Sequence, residues 1–244
     1  MPYRRLPNTD SARIRALKAA YSKGKLNPPS QLAFSQSTFS KVELFINSFQ
    51  NALAHYKVAY NQQVESGKEY SQILKKAKLY LSHFIQVLNM AIARGELPVS
   101  VREIYGMDLD ENRMPSLTTE KELIEWGKKI IDGEMQRLQK GQTPITNPTI
   151  AVVRVRYEQF LEAYNHHKIL QQNTRRLLND VNNLRVTADS IILSIWNEVE
   201  DYFKDLPDEE RRLKASEYGV VYVYRKNEIK DFRLEDRTLL KLFN

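Results

Sequence analysis

The amino-acid sequence predicts an all-α protein: an elongated four-helix bundle made of two repeated helical hairpins, plus a crossover helix and a small C-terminal β-hairpin. Apolar residues recur every three to four positions over long stretches, as they do on one face of an amphipathic helix. The 244 residues include only eight glycines and nine prolines, and these lie between the periodic stretches. Such placement favours long helices over a sheet-rich fold.

A weak internal repeat at an offset of 111 residues predicts the hairpin arrangement. Residues 39–60 and 150–171 share five identities in 22 positions. Four of these identities lie close together. Phe49, Ala52, His55 and Lys57 in the first copy correspond to Phe160, Ala163, His166 and Lys168 in the second. The first hairpin is therefore predicted at about 35–98, the second at about 149–207, and both within a bundle of residues 30–206.

A short helix is predicted at residues 10–23, within a basic N-terminal arm of residues 1–29. Thr9 or Asp10 can cap it, because a side-chain oxygen there accepts from an unpaired backbone N–H. Gly24 then ends it. Residues 1–25 carry a net charge of +6 out of +7 for the whole chain, so the basic character belongs to this arm.

The first hairpin is predicted to join helices 35–66 and 68–94 through a turn at Gly67. The second of these helices has the clearest apolar seam, with steps of four and three residues that are typical of a helix packed against a nearly antiparallel neighbour. Its members are Tyr70, Leu74, Ala77, Leu81, Phe84, Leu88 and Ala91.

The remaining elements follow the same reasoning. Thr119 and Glu122 predict a capping box at the start of a crossover helix over 119–140, inserted between the hairpins. The second hairpin is predicted to join helices 149–181 and 184–205, with its turn within 179–183. The extension 207–244 holds helical turns at 208–216 and a β-hairpin, because residues 220–224 are β-branched and aromatic and can pair with 229–234.

Three segments together resemble an uncharacterised family of bacterial all-helical bundle proteins. They are Leu123-Ile124-Glu125-Trp126-Gly127, Ile195-Trp196-Asn197-Glu198-Val199-Glu200 and Tyr218-Gly219-Val220-Val221-Tyr222-Val223. The resemblance covers most of residues 30–225 and implies a bundle. It implies no established activity and no site residues.

Composition excludes several classes of function. The chain has no cysteine, so disulfides, thiolate metal sites and cysteine nucleophiles are excluded. Its N-terminus lacks the apolar run of a secretory signal, and no stretch approaches the ~18–20 apolar residues that span a bilayer. A cytoplasmic protein without a cofactor and without a membrane partner is expected.

The candidate metal ligands are His55, His166 and Glu162, and they are weak candidates. Glu162 precedes His166 by one helical turn, and His55 holds the equivalent place in the first repeat. Di-metal bundles use Glu-x-x-His, a motif that this chain lacks. Packing histidines are the more common case, and no metal site is predicted.

Two further polar groups have alternative interpretations. His167, Gln171 and Thr174 either form a polar layer in the bundle core or stay solvated while Leu170, Leu177 and Val181 form the seam; the second is favoured, because buried polar groups are rare. Carboxylates can also act as acid–base pairs when burial separates their pKa values. Here the solvated helix face, with Trp196 half-buried beside it, is favoured for the acidic cluster Glu198, Glu200 and Asp201.

The basic arm gives an alternative function, nucleic-acid binding through phosphate contacts. The candidate contacts are Arg4, Arg5, Arg13, Arg15 and Lys18. Against this, no nucleic-acid-binding motif is present and the rest of the chain is nearly neutral. The leading hypothesis is a non-catalytic protein-interaction or structural module whose partner is another protein. The sequence leaves the biological process and the oligomeric state open.

Overall fold

The computed structural model describes residues 3–109 and 114–224, and within them the predicted all-α class is confirmed. Six α-helices and one sheet of two short strands occur in these ranges. In chain order they are β1 (Tyr3–Arg4), α1 (Asp10–Leu26), a 3-10 turn (Pro29–Gln31), α2 (Gln36–Ala93), α3 (Val101–Ile104), α4 (Glu120–Gln139), α5 (Ile150–Tyr202), α6 (Asp208–Ser216) and β2 (Tyr222–Val223).

The described residues form two compact units. The first unit consists of the described residues within Met1–Val58 and Arg175–Asn244, and the second of those within Ala59–Thr174. Both unit boundaries fall inside long helices, since α2 passes through Val58 and α5 passes through Thr174. Each unit therefore combines part of α2 and part of α5 with shorter helices of its own.

The two predicted hairpin turns are wrong. α2 runs through Gly67 for 58 residues, and α5 runs through 179–183 for 53 residues. A single glycine costs a helix about 1 kcal/mol, which packing along the rest of α2 offsets. Asparagine is a poor helix former, but Val181 is fully buried and holds the weak stretch of α5 in place. The four-helix bundle of two repeated hairpins is not confirmed.

The core of the first unit is built by α1, the N-terminal part of α2 and the C-terminal part of α5. Leu17, Phe49 and Ile192 contribute one fully buried side chain from each of these helices. Trp196 is only 1% exposed, so the sequence-based expectation of a half-buried ring is wrong. α1 thus packs its apolar face into a core instead of standing apart as an arm.

The core of the second unit is built by the C-terminal part of α2, α4 and the N-terminal part of α5. Phe84, Ile130 and Phe160 are fully buried there. A helix is present as α4 where the crossover helix was predicted, and the capping box of Thr119 and Glu122 is present with both of its hydrogen bonds; a crossover between two hairpins is not confirmed. These two bonds satisfy N–H groups that the first turn of a helix leaves unpaired.

The short sheet joins two segments that are far apart in the sequence. Tyr3 pairs with Val223 and Arg4 with Tyr222, in antiparallel register. The predicted strand at 220–224 is therefore present as β2, but its partner in the structure is β1. The strand predicted at 229–234 lies outside the described residues.

Candidate functional site

Two arginine–aspartate pairs connect α1 and α5 in the first unit. Arg13 donates two hydrogen bonds to Asp189, of 2.7 and 2.9 Å, and Arg185 donates two to Asp10, of 2.8 and 2.6 Å. The hydrogen bond from Arg185 lowers the pKa of Asp10 below its ordinary value, and it outweighs the opposing effect of burial. These two bidentate pairs fasten α1 to α5.

Glu200 ties the sheet to α5. Its carboxylate accepts from the Arg4 guanidinium of β1 at 2.9 Å and from the Tyr222 hydroxyl of β2 at 2.7 Å. The Arg4 guanidinium also lies 5.9 Å from the centre of the Trp196 ring. Arg4 and Arg13, two of the proposed nucleic-acid contacts, are thus engaged inside the fold.

Glu198 anchors the start of α2. One carboxylate oxygen accepts from the Ser35 backbone N–H and the other from the Thr38 hydroxyl, both at 2.6 Å. Burial opposes ionisation of this carboxyl, but the hydrogen bonds prevail and its pKa is lowered. Asp201 contacts Lys204 at 3.3 Å on the helix surface. The three acids of the cluster therefore have different partners: Glu198 the start of α2, Glu200 the sheet, and Asp201 a lysine on the surface.

Arg5, Arg15 and Lys18 differ from these paired residues, because all three are exposed. Within the described ranges neither Arg5 nor Arg15 has an acidic partner. Both arginines line one groove of the first unit, with a volume of about 410 Å³. We call it the Arg5–Arg15 groove.

The Arg5–Arg15 groove combines these cations with a mainly apolar surface. The segment after β1, one face of α1, one side chain of α5 and residues next to β2 form it. Its other described lining residues are Leu6, Pro7, Asn8, Ala12, Ala16, Ala19, Trp196, Gly219 and Val221. None of the described lining residues is acidic, so the groove has a positive rim over an apolar floor.

Gly219 fixes the close approach of two walls of this groove. Its backbone has φ of +88°, a conformation that L side chains rarely adopt. A Cβ at this position would lie 3.1 Å from the backbone of Ala16 and 3.1 Å from the Cβ of Ala19. The segment before β2 therefore lies directly against the small side chains of α1.

Of the three candidate metal ligands, two line one groove of the second unit. His55 is exposed in the first unit, whereas Glu162 and His166 are exposed in the second. Glu162 and His166 line an open groove of about 380 Å³ with Glu69 and Tyr70. Among residues 3–109 and 114–224, no group of three or more histidine and acidic side chains has the geometry to hold a metal ion.

The two interpretations of α5 are each met in part: Thr174 is buried, His167 and Gln171 are half-buried, and Val181 of the favoured apolar seam is fully buried. Thr174 is 7% exposed, and its hydroxyl donates to the Leu170 carbonyl at 3.0 Å. The His167 ring stacks on the Tyr70 ring, with centroids 4.7 Å apart and planes 10° apart. The Tyr70 hydroxyl donates to Glu120 at 2.5 Å; burial, and then this bond, raise the Tyr70 pKa.

A buried charged cluster in the second unit was missed by sequence reasoning. Glu134 and Arg137 of α4 are both fully buried, with an Arg137 Nε–Glu134 Oε2 distance of 2.9 Å. Glu134 also accepts from the Tyr105 hydroxyl and from the Ile145 N–H. Burial, and then the bond to Glu134, raise the Tyr105 pKa. The available signal was their spacing, because both continue the apolar stripe that includes Ile130.

Arg137 connects this cluster to the segment after α4. It donates to the Thr143 carbonyl at 2.6 Å and to the Gln142 side chain at 3.3 Å. Together with Glu134, it links α3, the end of α4 and the following loop. Among the described residues, the polar partners of the cluster all belong to the second unit, so the cluster acts as an internal clamp there.

Comparisons with models of known protein families, with curated proteins and with solved structures find no match. The resemblance to a family of bacterial bundle proteins therefore stays a prediction. None of the described helices combines the length and the apolar character needed to cross a membrane.

Proposed function

We propose that this chain is a non-catalytic protein-interaction module that docks a partner protein at the Arg5–Arg15 groove. The observation that carries the proposal is the contrast among the basic residues of one short stretch. Arg4 and Arg13 are paired with acids of α5, whereas Arg5 and Arg15 stand exposed at the rim of a groove.

The engagement of three glutamates in hydrogen bonds also supports a non-catalytic role. Glu198 anchors the start of α2, Glu200 anchors the sheet, and Glu134 anchors α3 and the loop after α4. General acid–base work requires a carboxyl that can reach a substrate. Each of these glutamates is instead occupied by hydrogen bonds within its own unit.

Nucleic-acid binding remains the alternative, and fewer cations are available for it than the sequence suggests. Of its five candidate contacts, Arg4 and Arg13 are held in ion pairs. Arg5, Arg15 and Lys18 are left, and affinity for a phosphate backbone depends on how many phosphates are neutralised. We favour a protein partner in the cytoplasm, which a cysteine-free chain fits.

Site-directed crosslinking tests the proposal. A photo-activatable benzophenone residue replaces Ala12 in the groove, or Leu44 on α2 as a control position that is 81% exposed. After illumination of the full chain in cell extract, a protein adduct is expected from position 12 and not from position 44. The adduct from position 12 should be lost in Arg15→Gln.

Lys18→Gln is the matched control, because it removes the same charge from an exposed residue of α1 that does not line the groove. The adduct from position 12 should persist in this variant. Absence of an adduct, or an adduct unaffected by Arg15→Gln, would reject docking at the groove.

A further inference from the structure

We infer that the segment bound in the Arg5–Arg15 groove is a short acidic peptide stretch of the partner, carrying at least one apolar side chain. The inference rests on the function proposed above and adds the chemistry of the partner. The inference is based on the residues that are described in the lining of the groove: two of them are arginines, none is acidic, and the floor is mainly apolar.

Carboxylates are the groups that best match the rim. The planar guanidinium of arginine presents paired N–H donors that fit a carboxylate in a bidentate manner. The same unit uses this geometry twice, in Arg13 with Asp189 and in Arg185 with Asp10. Arg5 and Arg15 offer the same donors without an internal acceptor among the described carboxylates.

The floor of the groove sets the size of the segment. Ala12, Ala16 and Ala19 follow one face of α1, and at 1.5 Å per residue their seven-residue separation spans about 10 Å. An extended peptide covers that distance with about three residues. Gly219 lies against Ala16 and Ala19, so the apolar side chain of the peptide would pack on the exposed lining residues Leu6 and Val221, flanked by acidic residues.

The same floor favours a peptide over a nucleic acid. Single-stranded nucleic acids gain affinity when bases stack on open aromatic faces. Trp196 is the aromatic side chain of the described lining and is only 1% exposed, so its ring offers no open face to a base. An apolar side chain, in contrast, gains free energy by leaving water at this surface.

Fluorescence anisotropy with labelled peptides on the full chain tests the inference. The probe is an eight-residue peptide of Glu, Asp and Leu. One matched peptide has Gln and Asn in place of the acids, another has Ser in place of Leu, and a twelve-residue oligothymidylate represents nucleic acid. The acidic apolar peptide should bind at low salt, and at least about fivefold more tightly than each other probe.

Variants assign the binding to the groove. Arg5→Gln and Arg15→Gln should each weaken the acidic apolar peptide about fivefold, equal to about 1 kcal/mol, whereas Lys18→Gln should change its affinity by less than about twofold. In a Trp126→Phe background, Trp196 is the remaining tryptophan of the two, and its emission should change on binding. Raising the salt should weaken binding, because exposed ion pairs are screened.

Each contrary outcome has a definite meaning. No binding of the acidic apolar peptide, binding that survives both Arg→Gln changes, or equal or tighter binding of the oligothymidylate would overturn the inference. If crosslinking at position 12 still gave an adduct that depends on Arg15, the docking function would stand and only the acidic class would be rejected. A missing adduct would reject the docking function itself.

Discussion

The Tyr105 ring occupies the space that a side chain on Gly133 would need. A Cβ on Gly133 would lie 2.6 Å from Cδ1 of Tyr105 and 2.8 Å from the Ile104 carbonyl oxygen. Carbon atoms in contact are normally about 3.5–4.0 Å apart. Gly133 is therefore the point at which α4 meets the end of α3, directly beside buried Glu134.

Gly133→Ala should destabilise the protein by about 1–3 kcal/mol, because overpacking displaces the Tyr105 ring and the α3 backbone. Gly67→Ala is the matched control within α2. Its Cβ would meet only Cε1 of His167, at 3.6 Å, so the change should stabilise by about 0.5–1 kcal/mol through helix propensity. Urea denaturation followed by circular dichroism measures both. A destabilising Gly67→Ala would contradict an unbroken α2.

Removal of the buried carboxylate of α4 should be costly. Glu134→Ala leaves the Arg137 guanidinium buried without its charge partner, and loss of one partner of a buried pair costs about 3–5 kcal/mol. Glu125→Ala is the control on the same helix, since Glu125 and Lys129 are 62% and 41% exposed and such pairs contribute at most about 1 kcal/mol. Equal losses in urea denaturation would show that the cluster is not an internal clamp.

The ion pair of Asp10 and Arg185 should make stability depend on acid pH. The Arg185 hydrogen bond lowers the folded-state pKa of Asp10, whereas the unfolded value is about 3.9. The contribution of this ion pair to the free energy of unfolding is complete above the unfolded-state pKa. It is lost as the pH falls through the lower folded-state pKa. Asp10→Asn should thus melt at a lower temperature than the natural chain at pH 7.

This difference in melting temperature should narrow below about pH 4, as the natural chain loses the charge that the variant already lacks. Asp201→Asn, at a residue 76% exposed, should melt close to the natural chain throughout. A difference for Asp10→Asn that stays constant down to about pH 2 would show that the carboxylate charge is not the stabilising feature.

Loss of the Glu198 carboxylate should loosen the first turn of α2. Glu198→Ala removes the acceptor of the Ser35 N–H and of the Thr38 hydroxyl, and loss of a comparable helix cap costs about 1 kcal/mol. Hydrogen exchange should accelerate at the Ser35 amide and spare amides in the middle of α5. Unchanged exchange at Ser35 would contradict the anchoring role.

Features that depend on neighbouring residues were predictable from the sequence. The capping box of Thr119 and Glu122 needs only a three-residue spacing, and the seam containing Phe84 and Leu88 follows from periodicity. The turn predicted at Gly67 was wrong because it also depended on a local signal alone. A lone glycine is a weak local signal, and packing along α2 outweighs it.

Features that depend on distant residues were not predictable. β2 was expected from its composition, but its pairing with β1 joins residues about 220 positions apart. Arg5 and Arg15 were named as candidate contacts, yet the groove between them requires Trp196 and Val221 as well. No spacing rule connects four segments that meet only after folding.

The wide separation of Arg5 and Val221 has a consequence for biosynthesis. A ribosome adds Arg5 more than two hundred residues before Val221, on the opposite wall of the Arg5–Arg15 groove. Residues of the second unit, in contrast, are all synthesised by Thr174. A nascent or prematurely terminated chain that stops before Val221 would lack a wall of the Arg5–Arg15 groove, so the groove can form only in chains translated past this point.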